Sequence, residues 1–155
     1  MREAKSPVRQ LLGERPWKVF SVGPDVPVLA ALEVLADKDL GAVVVLEEGR
    51  LAGVLSERDY ARGGELAGRS AQQTLVRELM TSDVIFVTPD QTVEQCMALM
   101  TAKRMRHLPV VEHDEVVGLV SIGDLVKRVN TNYEQVVRDL ERDRMFLRTG
   151  EAGYY

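Results

Sequence analysis

A gap-free internal repeat is the feature of this chain that most limits the folds it can adopt. The segment GVLSERDYAR at residues 53–62 returns as GLVSIGDLVK at residues 118–127, and the matching residues are always 65 positions apart: Pro24 with Pro89, Asp25 with Asp90, Val28 with Val93, Gly53 with Gly118, Ser56 with Ser121, and Asp59 with Asp124. Such a repeat predicts two copies of one structural unit, each burying an apolar surface that it cannot cover alone. We therefore expect a pseudo-twofold pair with a cleft between the copies.

Each copy predicts the same order of elements, which is helix, strand, helix, strand, strand, helix. Apolar residues at spacings of four and three follow a Pro-Asp turn and indicate an amphipathic helix. Two strands come next, AVVVLE with RLAGVLS in the first copy and HLPVVE with EVVGLVS in the second. The segment SPVRQLL at 6–12 resembles TLVRELM at 74–80, so a leading helix precedes each copy. The fold class is therefore α+β, with two βαββα-type units that each have a leading helix.

The pattern also predicts where the units begin and end. We expect a first unit over residues 6–67, a linker over 68–73, a second unit over 74–130 and a helical extension over 131–155. Apolar residues in and before the extension fall at helical spacing, at Leu125, Val129, Tyr133, Val136 or Val137, and Leu140. This stripe either packs back on its own unit or contacts a second subunit, and we favour the second interpretation.

Composition limits the classes of function. A formal net charge of -4 and a pI near 5.3 disfavour sequence-nonspecific nucleic-acid binding, which needs a basic surface. The longest apolar run is far shorter than the roughly 20 residues of a membrane span. The polar start of the chain and the single Cys96 predict a cytoplasmic protein without an intrachain disulfide.

The tandem order, together with GVLSERDYAR, VTPDQTVEQCMALM and MRHLPVVEHDEVVGLVSIGDLV, resembles a pair of CBS domains, the cystathionine-β-synthase-type regulatory module. The resemblance covers residues 6 to about 130 and is greatest to small bacterial stand-alone CBS-pair proteins. It implies that adenosine-containing ligands (AMP, ADP, ATP, NAD(H) or S-adenosylmethionine) bind in the interdomain cleft. It also implies a disc-like homodimer that signals ligand occupancy to a partner protein and that is not itself an enzyme.

The repeated Ser-x-x-Asp motif suits a nucleotide. Ser56 and Ser121 end a strand and begin a helix, so the hydroxyl group and free backbone N–H groups there could bind phosphate. Asp59 and Asp124 could accept hydrogen bonds from both ribose hydroxyls. The alternative is that each motif is only a helix cap, which stabilises a protein by about 1 kcal/mol. Backbone groups near Val19 and Val84 are expected to read the adenine edge.

Basic residues distinguish the two copies. Arg106 and His107 of the second copy stand where the first has Gly41 and Ala42, so we expect a cationic phosphate loop in one copy and unequal sites. Arg58 could reach phosphate from the first copy. The alternatives are that both arginines are solvated surface residues and that His107 is a partly buried side chain bonded to a backbone carbonyl.

The sequence shows no pattern typical of catalysis. Cys96 lies within an amphipathic helix and is interpreted as a small core residue, and neither histidine has the spacing of a metal ligand. The function that the motifs favour is therefore a regulatory nucleotide-binding module. The alternatives are a ligand-free dimeric scaffold and, less favoured, an enzyme that acts on the bound nucleotide.

Overall fold

The computed structural model describes residues 5–13 and 18–152. Its helices are α1 (Val8–Gly13), α2 (Val28–Lys38), α3 (Glu57–Tyr60), α4 (Val76–Leu79), α5 (Val93–Lys103) and α6 (Ile122–Ala152), and its strands are β1 (Ser21–Val22), β2 (Ala42–Glu47), β3 (Arg50–Ser56), β4 (His107–Glu112) and β5 (Glu115–Ser121). The predicted α+β class is confirmed. The paired strands β2–β3 and β4–β5 occupy the residues that the repeat predicts.

Two antiparallel hairpins of identical register form the centre of the repeats. β2 pairs with β3 and β4 with β5, and both ladders shift register at the same place, between Val45 and Leu46 and between Val110 and Val111. Each hairpin closes through two residues with positive φ, Glu48 and Gly49 or His113 and Asp114, the conformation of a type I′ turn. The repeated sequence therefore encodes the hairpin in detail, including its irregularity.

The first predicted strand of each repeat is very short. β1 adds two residues in parallel to β2 and completes a three-stranded sheet of order β1-β2-β3. In the second repeat only a single bridge joins Val87 to Val110, with backbone hydrogen bonds from Val87 to Pro109 and from Val111 to Val87. Both segments stop at a Pro-Asp turn, where proline has no N–H to donate to a ladder.

The two leading helices pack on the opposite repeat from the one that follows them in sequence. Val8 and Leu11 of α1 belong to the core cluster of the second repeat, together with Val93 of α5. Val76 of α4 belongs to the cluster of the first repeat, together with Val28 of α2. The predicted order of elements is correct, but each packing unit therefore contains a helix from the other copy.

Backbone hydrogen bonds fix this exchange of helices. Val8 N–H donates to the Gln91 carbonyl at 2.8 Å, and Val93 N–H donates to the Ser6 carbonyl at 2.9 Å. On the other side, Val28 N–H donates to the Thr74 carbonyl and Val76 N–H donates to the Val26 carbonyl. Each leading segment thus satisfies polar groups at the start of a helix in the other repeat.

The last helices of the repeats differ. α3 has only four residues and passes into a π-helical turn over Ala61–Glu65. Gly64 is buried, and a Cβ there would lie 2.7 Å from the Tyr60 ring, so the turn requires glycine. In the second repeat α6 continues for 31 residues.

The start of α6 packs on its own repeat. Leu125 is fully buried and Val129 packs against the second core cluster, whereas Val137 and Leu140 are exposed. The side chains of Tyr133 and Val136 lie outside the described residues. Within the described part of the chain, no helix combines the length and the apolar character needed to cross a membrane.

Candidate ligand-binding grooves

The space between the repeats is divided into two grooves that meet at Gly41 and His107. The groove beside Ser56 and Asp59, here the Asp59 groove, also contains Val84 and Ile85 of the second repeat. The groove beside Ser121 and Asp124, here the Asp124 groove, also contains Val19 and Phe20 of the first repeat. Each groove therefore combines the helix start of one repeat with the first-strand segment of the other.

Both grooves are open and large enough for a small molecule. Their volumes are about 580 Å³ for the Asp59 groove and about 440 Å³ for the Asp124 groove. Ligand pockets of proteins usually measure about 300–1,000 Å³. The predicted serines and aspartates thus lie on the walls of accessible cavities.

Ser56 and Asp59 form a reciprocal cap at the start of α3. Asp59 Oδ2 accepts a hydrogen bond from the Ser56 N–H at 2.9 Å, and the Asp59 N–H donates to Ser56 Oγ at 3.1 Å. The Glu57 N–H donates to the carbonyl of Gly41. Three of the N–H groups at this helix start, those of Ser56, Glu57 and Asp59, are therefore already satisfied, which weakens the expectation that they bind phosphate.

Ser121 and Asp124 repeat the arrangement with one addition. The Ser121 N–H and hydroxyl both donate to Asp124 Oδ2, at 2.8 and 2.9 Å, and the Asp124 N–H donates to Ser121 Oγ at 3.1 Å. The capping role that the sequence offered as an alternative is thus present at both sites. A phosphate contact by Ser121 would require its hydroxyl to exchange this hydrogen bond, and ribose binding by the two aspartates stays a prediction.

His107 is a shared wall of the two grooves. Its ring lies close to Gly41, where a Cβ atom would be 3.3 Å from His107 Nε2. Burial lowers the pKa of His107 from its ordinary value of 6.5, while the carboxylates of Asp124 and Asp59 act in the opposite direction. The imidazole is therefore neutral near pH 7.

The expected hydrogen bond from His107 to a backbone carbonyl is not found among the described residues. The ring is partly buried, as that interpretation required, and His107 lines both grooves. Neutral His107 can donate one hydrogen bond to a ligand.

The basic residues collect in one groove, and it is not the groove of Asp124. Arg106 was expected to favour the site of the second repeat, but it lines the Asp59 groove together with Arg58. The reason is the crosswise construction, because the loop before β4 faces the helix start of the other repeat. The prediction that the two sites differ therefore stays, but the arginines that distinguish them line the Asp59 groove.

Several residues that line the grooves were not selected from the sequence. Arg62, Lys103 and Arg104 add positive charge to the Asp59 groove, and Lys18 and Phe20 line the Asp124 groove. Comparing each repeat with its counterpart could have identified Arg104, because its equivalent 65 residues earlier is Asp39. No signal in the sequence shows which groove a given cation lines.

Candidate metal ligands do not cluster in the described part of the chain. Among the side chains that the structure describes, no group of three or more His, Cys, Asp or Glu residues is arranged to hold a metal ion. Cys96 is buried in the second core cluster, outside both grooves, and burial raises the pKa of its thiol to about 11. A thiol with such a pKa is a poor nucleophile at neutral pH.

Comparison with known proteins shows the family. The CBS domain model matches residues 9–63 and 76–131, most of both repeats. The chain is 32% identical to the CBS domain-containing protein YhcV of Bacillus subtilis, over 74% of this chain and 81% of YhcV. It is 37% identical to the mitochondrial CBS domain-containing protein CBSX3 of Arabidopsis thaliana over 81% of this chain, and the match spans 62% of that longer relative.

Solved structures agree with this. A CBS-domain protein of Burkholderia ambifaria is 43% identical, has a TM-score of 0.77, and is matched over 80% of this chain and 93% of its own. The family match covers the residues that form the 65-residue repeat, the paired hairpins and the helix starts beside the two grooves. The chain is a member of the CBS-domain family and contains a tandem pair of these domains.

Proposed function

We propose that this protein is a regulatory module that binds adenosine-containing ligands, such as AMP, ADP, ATP or NAD(H), in the grooves and signals their presence to a partner protein. The observation that carries the proposal is the recurrence of Ser-x-x-Asp on the wall of both grooves, opposite an apolar segment of the other repeat. A carboxylate beside an apolar wall suits a ribose attached to a flat base.

Solved relatives support a ligand of this chemistry. The CBS domain pair of MJ0100 was crystallised with 5′-methylthioadenosine and S-adenosyl-L-methionine. That protein is 21% identical with a TM-score of 0.72, so the likeness shows a shared fold. The ligands of MJ0100 motivate the choice of compounds to test here.

Direct titration tests the proposal. Isothermal titration with AMP, ATP, NAD and adenosine is expected to show binding to the wild-type protein. Asp124→Ala is expected to weaken binding in its groove by about 1.5–3 kcal/mol, the scale of hydrogen bonds to a charged group. Because Asp124 also caps α6, the same variant loses about 1 kcal/mol of stability.

Asparagine separates the two roles of the aspartate. Asp124→Asn keeps an oxygen that can accept from the Ser121 N–H but removes the charge that strengthens a ribose contact. For Asp124→Asn we expect near wild-type melting and weaker ligand binding in the Asp124 groove. Asp37→Ala, which removes an exposed carboxylate on α2, should change neither. A folded Asp59→Asn/Asp124→Asn variant that binds every ligand as tightly as wild type would contradict the proposal.

The second candidate function is a ligand-free dimeric scaffold. It is favoured by the apolar side chains of Val137 and Leu140, which are 51% and 58% exposed on α6. Exposed apolar residues on one helix suit a protein interface. Absence of binding across the ligand panel, with a dimer in sedimentation that Leu140→Asp dissociates, would select this function.

A further inference from the structure

The two grooves have lining charges of opposite sign. The Asp59 groove contains five cationic side chains (Arg58, Arg62, Lys103, Arg104 and Arg106) and two carboxylates (Glu57 and Asp59), which gives a net charge of +3. The Asp124 groove contains one cation (Lys18) and two carboxylates (Asp39 and Asp124), which gives -1. Histidine is counted as neutral in both grooves.

The cations of the Asp59 groove are available to a ligand. All five are exposed, and within the part of the chain that the structure describes none of them forms a salt bridge with a carboxylate. Arg9 and Arg77 behave differently, since each of them is held by a pair of carboxylates. An unpaired cluster of like charge is costly unless an anion joins it.

The charge difference arises at equivalent positions of the repeat. Arg58, Arg104 and Arg106 correspond to Gly123, Asp39 and Gly41, each 65 residues away. Arg104 and Asp39 both follow a helix in the left-handed conformation, with φ of 54°, and each lines a groove. The same backbone site thus presents a cation to one groove and an anion to the other.

The Asp124 groove has an aromatic wall instead of a cationic one. Phe20 lines it, and its ring lies 5.8 Å from Lys18 Nζ and 5.3 Å from Lys38 Nζ. Its counterpart in the Asp59 groove is Ile85. An aromatic face can stack on a base and attracts positive charge, whereas the carboxylates of this groove repel phosphate.

We propose that the grooves are specialised by charge, the Asp59 groove for a nucleoside polyphosphate and the Asp124 groove for a nucleoside whose 5′ substituent is uncharged or positively charged. This inference rests on the proposed function, because it assigns ligand classes to the same two sites. Three or four phosphate charges match the excess of arginine and lysine in the larger groove, where guanidinium groups can bind phosphate oxygens in pairs.

Titration of groove-selective variants tests the assignment. In magnesium-free buffer of fixed ionic strength, ATP affinity should fall about tenfold or more in Asp59→Asn and stay unchanged in Asp124→Asn. Adenosine affinity in the Asp124 groove should fall in Asp124→Asn and stay unchanged in Asp59→Asn. An equal loss of ATP affinity in both variants, or a loss only in Asp124→Asn, overturns the assignment.

An exchange of charge at the equivalent positions is the sharper experiment. Arg104→Asp should weaken ATP binding by about tenfold, and Asp39→Arg should create ATP binding in the Asp124 groove, detectable as a second site. The two equivalent positions share the left-handed conformation, which holds an aspartate at one and an arginine at the other. Arg50→Asp, an exposed site on β3 outside both grooves, is the matched control, and an equal effect of Arg50→Asp on ATP binding contradicts the proposal.

Inorganic tripolyphosphate separates this inference from the proposed function. If neither ATP nor adenosine binds the wild-type protein, the proposed function fails. The charge of the Asp59 groove is still tested, because tripolyphosphate should bind there and lose about tenfold in affinity in Arg58→Ala/Arg106→Ala. Tripolyphosphate that does not bind, or that binds this variant as tightly as wild type, overturns the inference.

Discussion

Arg77 of the second repeat donates two hydrogen bonds to Asp25 of the first, from Nε to Oδ1 at 3.1 Å and from Nη2 to Oδ2 at 3.3 Å. Arg77 also donates to Glu47 at 2.6 Å. The pseudo-symmetric residue Arg9 donates from Nη2 to Asp90 at 3.3 Å and to Glu112 at 2.7 Å. The hydrogen bond from Arg77 lowers the pKa of Asp25, and the matched pairs mark where each leading helix crosses to the other repeat.

The exchanged helices predict that a mutation in one repeat loosens the other. Val8 and Val76 are fully buried, so Val8→Ala should cost about 2 kcal/mol through lost burial and an unfilled cavity. Hydrogen exchange should rise first in β4–β5, the hairpin of the other repeat, and Val76→Ala should raise it first in β2–β3. Arg9→Ala and Arg77→Ala are exposed controls and should change the unfolding midpoint little. Faster exchange of β2–β3 in Val8→Ala would show that α1 packs on its own repeat.

Gly41 is predicted to keep both grooves open. A side chain at this position would press on His107, since even a Cβ lies 3.3 Å from Nε2. Gly41→Val should therefore weaken ligand binding in both grooves by about tenfold at little cost in stability, because Gly41 is exposed. Removing the ring in Gly41→Val/His107→Ala should restore part of the affinity. Gly23→Val is the control, because nothing lies within 4 Å of a Cβ there.

The pH dependence of phosphate binding follows from His107. Burial lowers the pKa of the free imidazole below 6.5, and a phosphate beside the ring would raise that pKa in the complex. The complex then takes up a proton, so ATP affinity should rise as the pH falls from about 7 towards 5.5. Titration of His107→Asn should show a flatter profile. Identical profiles for both proteins would place the phosphates away from His107.

The same histidine contributes to acid sensitivity. The unfolded chain protonates His107 near pH 6.5 and the folded chain at lower pH, so the unfolded state binds more protons in this window. The free energy of unfolding should therefore fall as the pH drops below about 6.5. His107→Asn should reduce this fall, which denaturant titrations at pH 7 and pH 5.5 would measure.

A substitution in the second hairpin turn is predicted to stabilise the protein. Both His113 and Asp114 have positive φ, at 51° and 63°, whereas the first hairpin uses Gly49 at 78°. Asp114→Gly should raise the free energy of unfolding by about 0.5 kcal/mol, since relief of the left-handed conformation exceeds the entropy that glycine adds to the unfolded chain. Gly49→Ala should lower the free energy of unfolding through the positive φ alone, because no atom lies within 4 Å of a Cβ there. Unchanged melting in both variants would contradict this account.

The periodic sequence was sufficient to predict the local structure. The apolar spacing located α2 and α5, the alternation located both hairpins, and the Ser-x-x-Asp repeats located the helix starts that line the grooves. These features depend on neighbours a few residues away, and the repeat with its offset of 65 residues supplies each pattern twice. The pairing of the first strands was not predictable, because it depends on contacts with distant segments such as the bridge from Val87 to Val110.

The tertiary structure alone decided how the repeats combine. Val8 and Val76 have the same size and chemistry, so no sequence pattern shows which repeat each one packs on. The same holds for Arg106, which lines the groove of Asp59 and not that of Asp124, the aspartate nearer to it in sequence. Local patterns fix which face of an element is apolar, but the choice between two nearly identical surfaces depends on long-range packing, and that choice sets which charges share a groove.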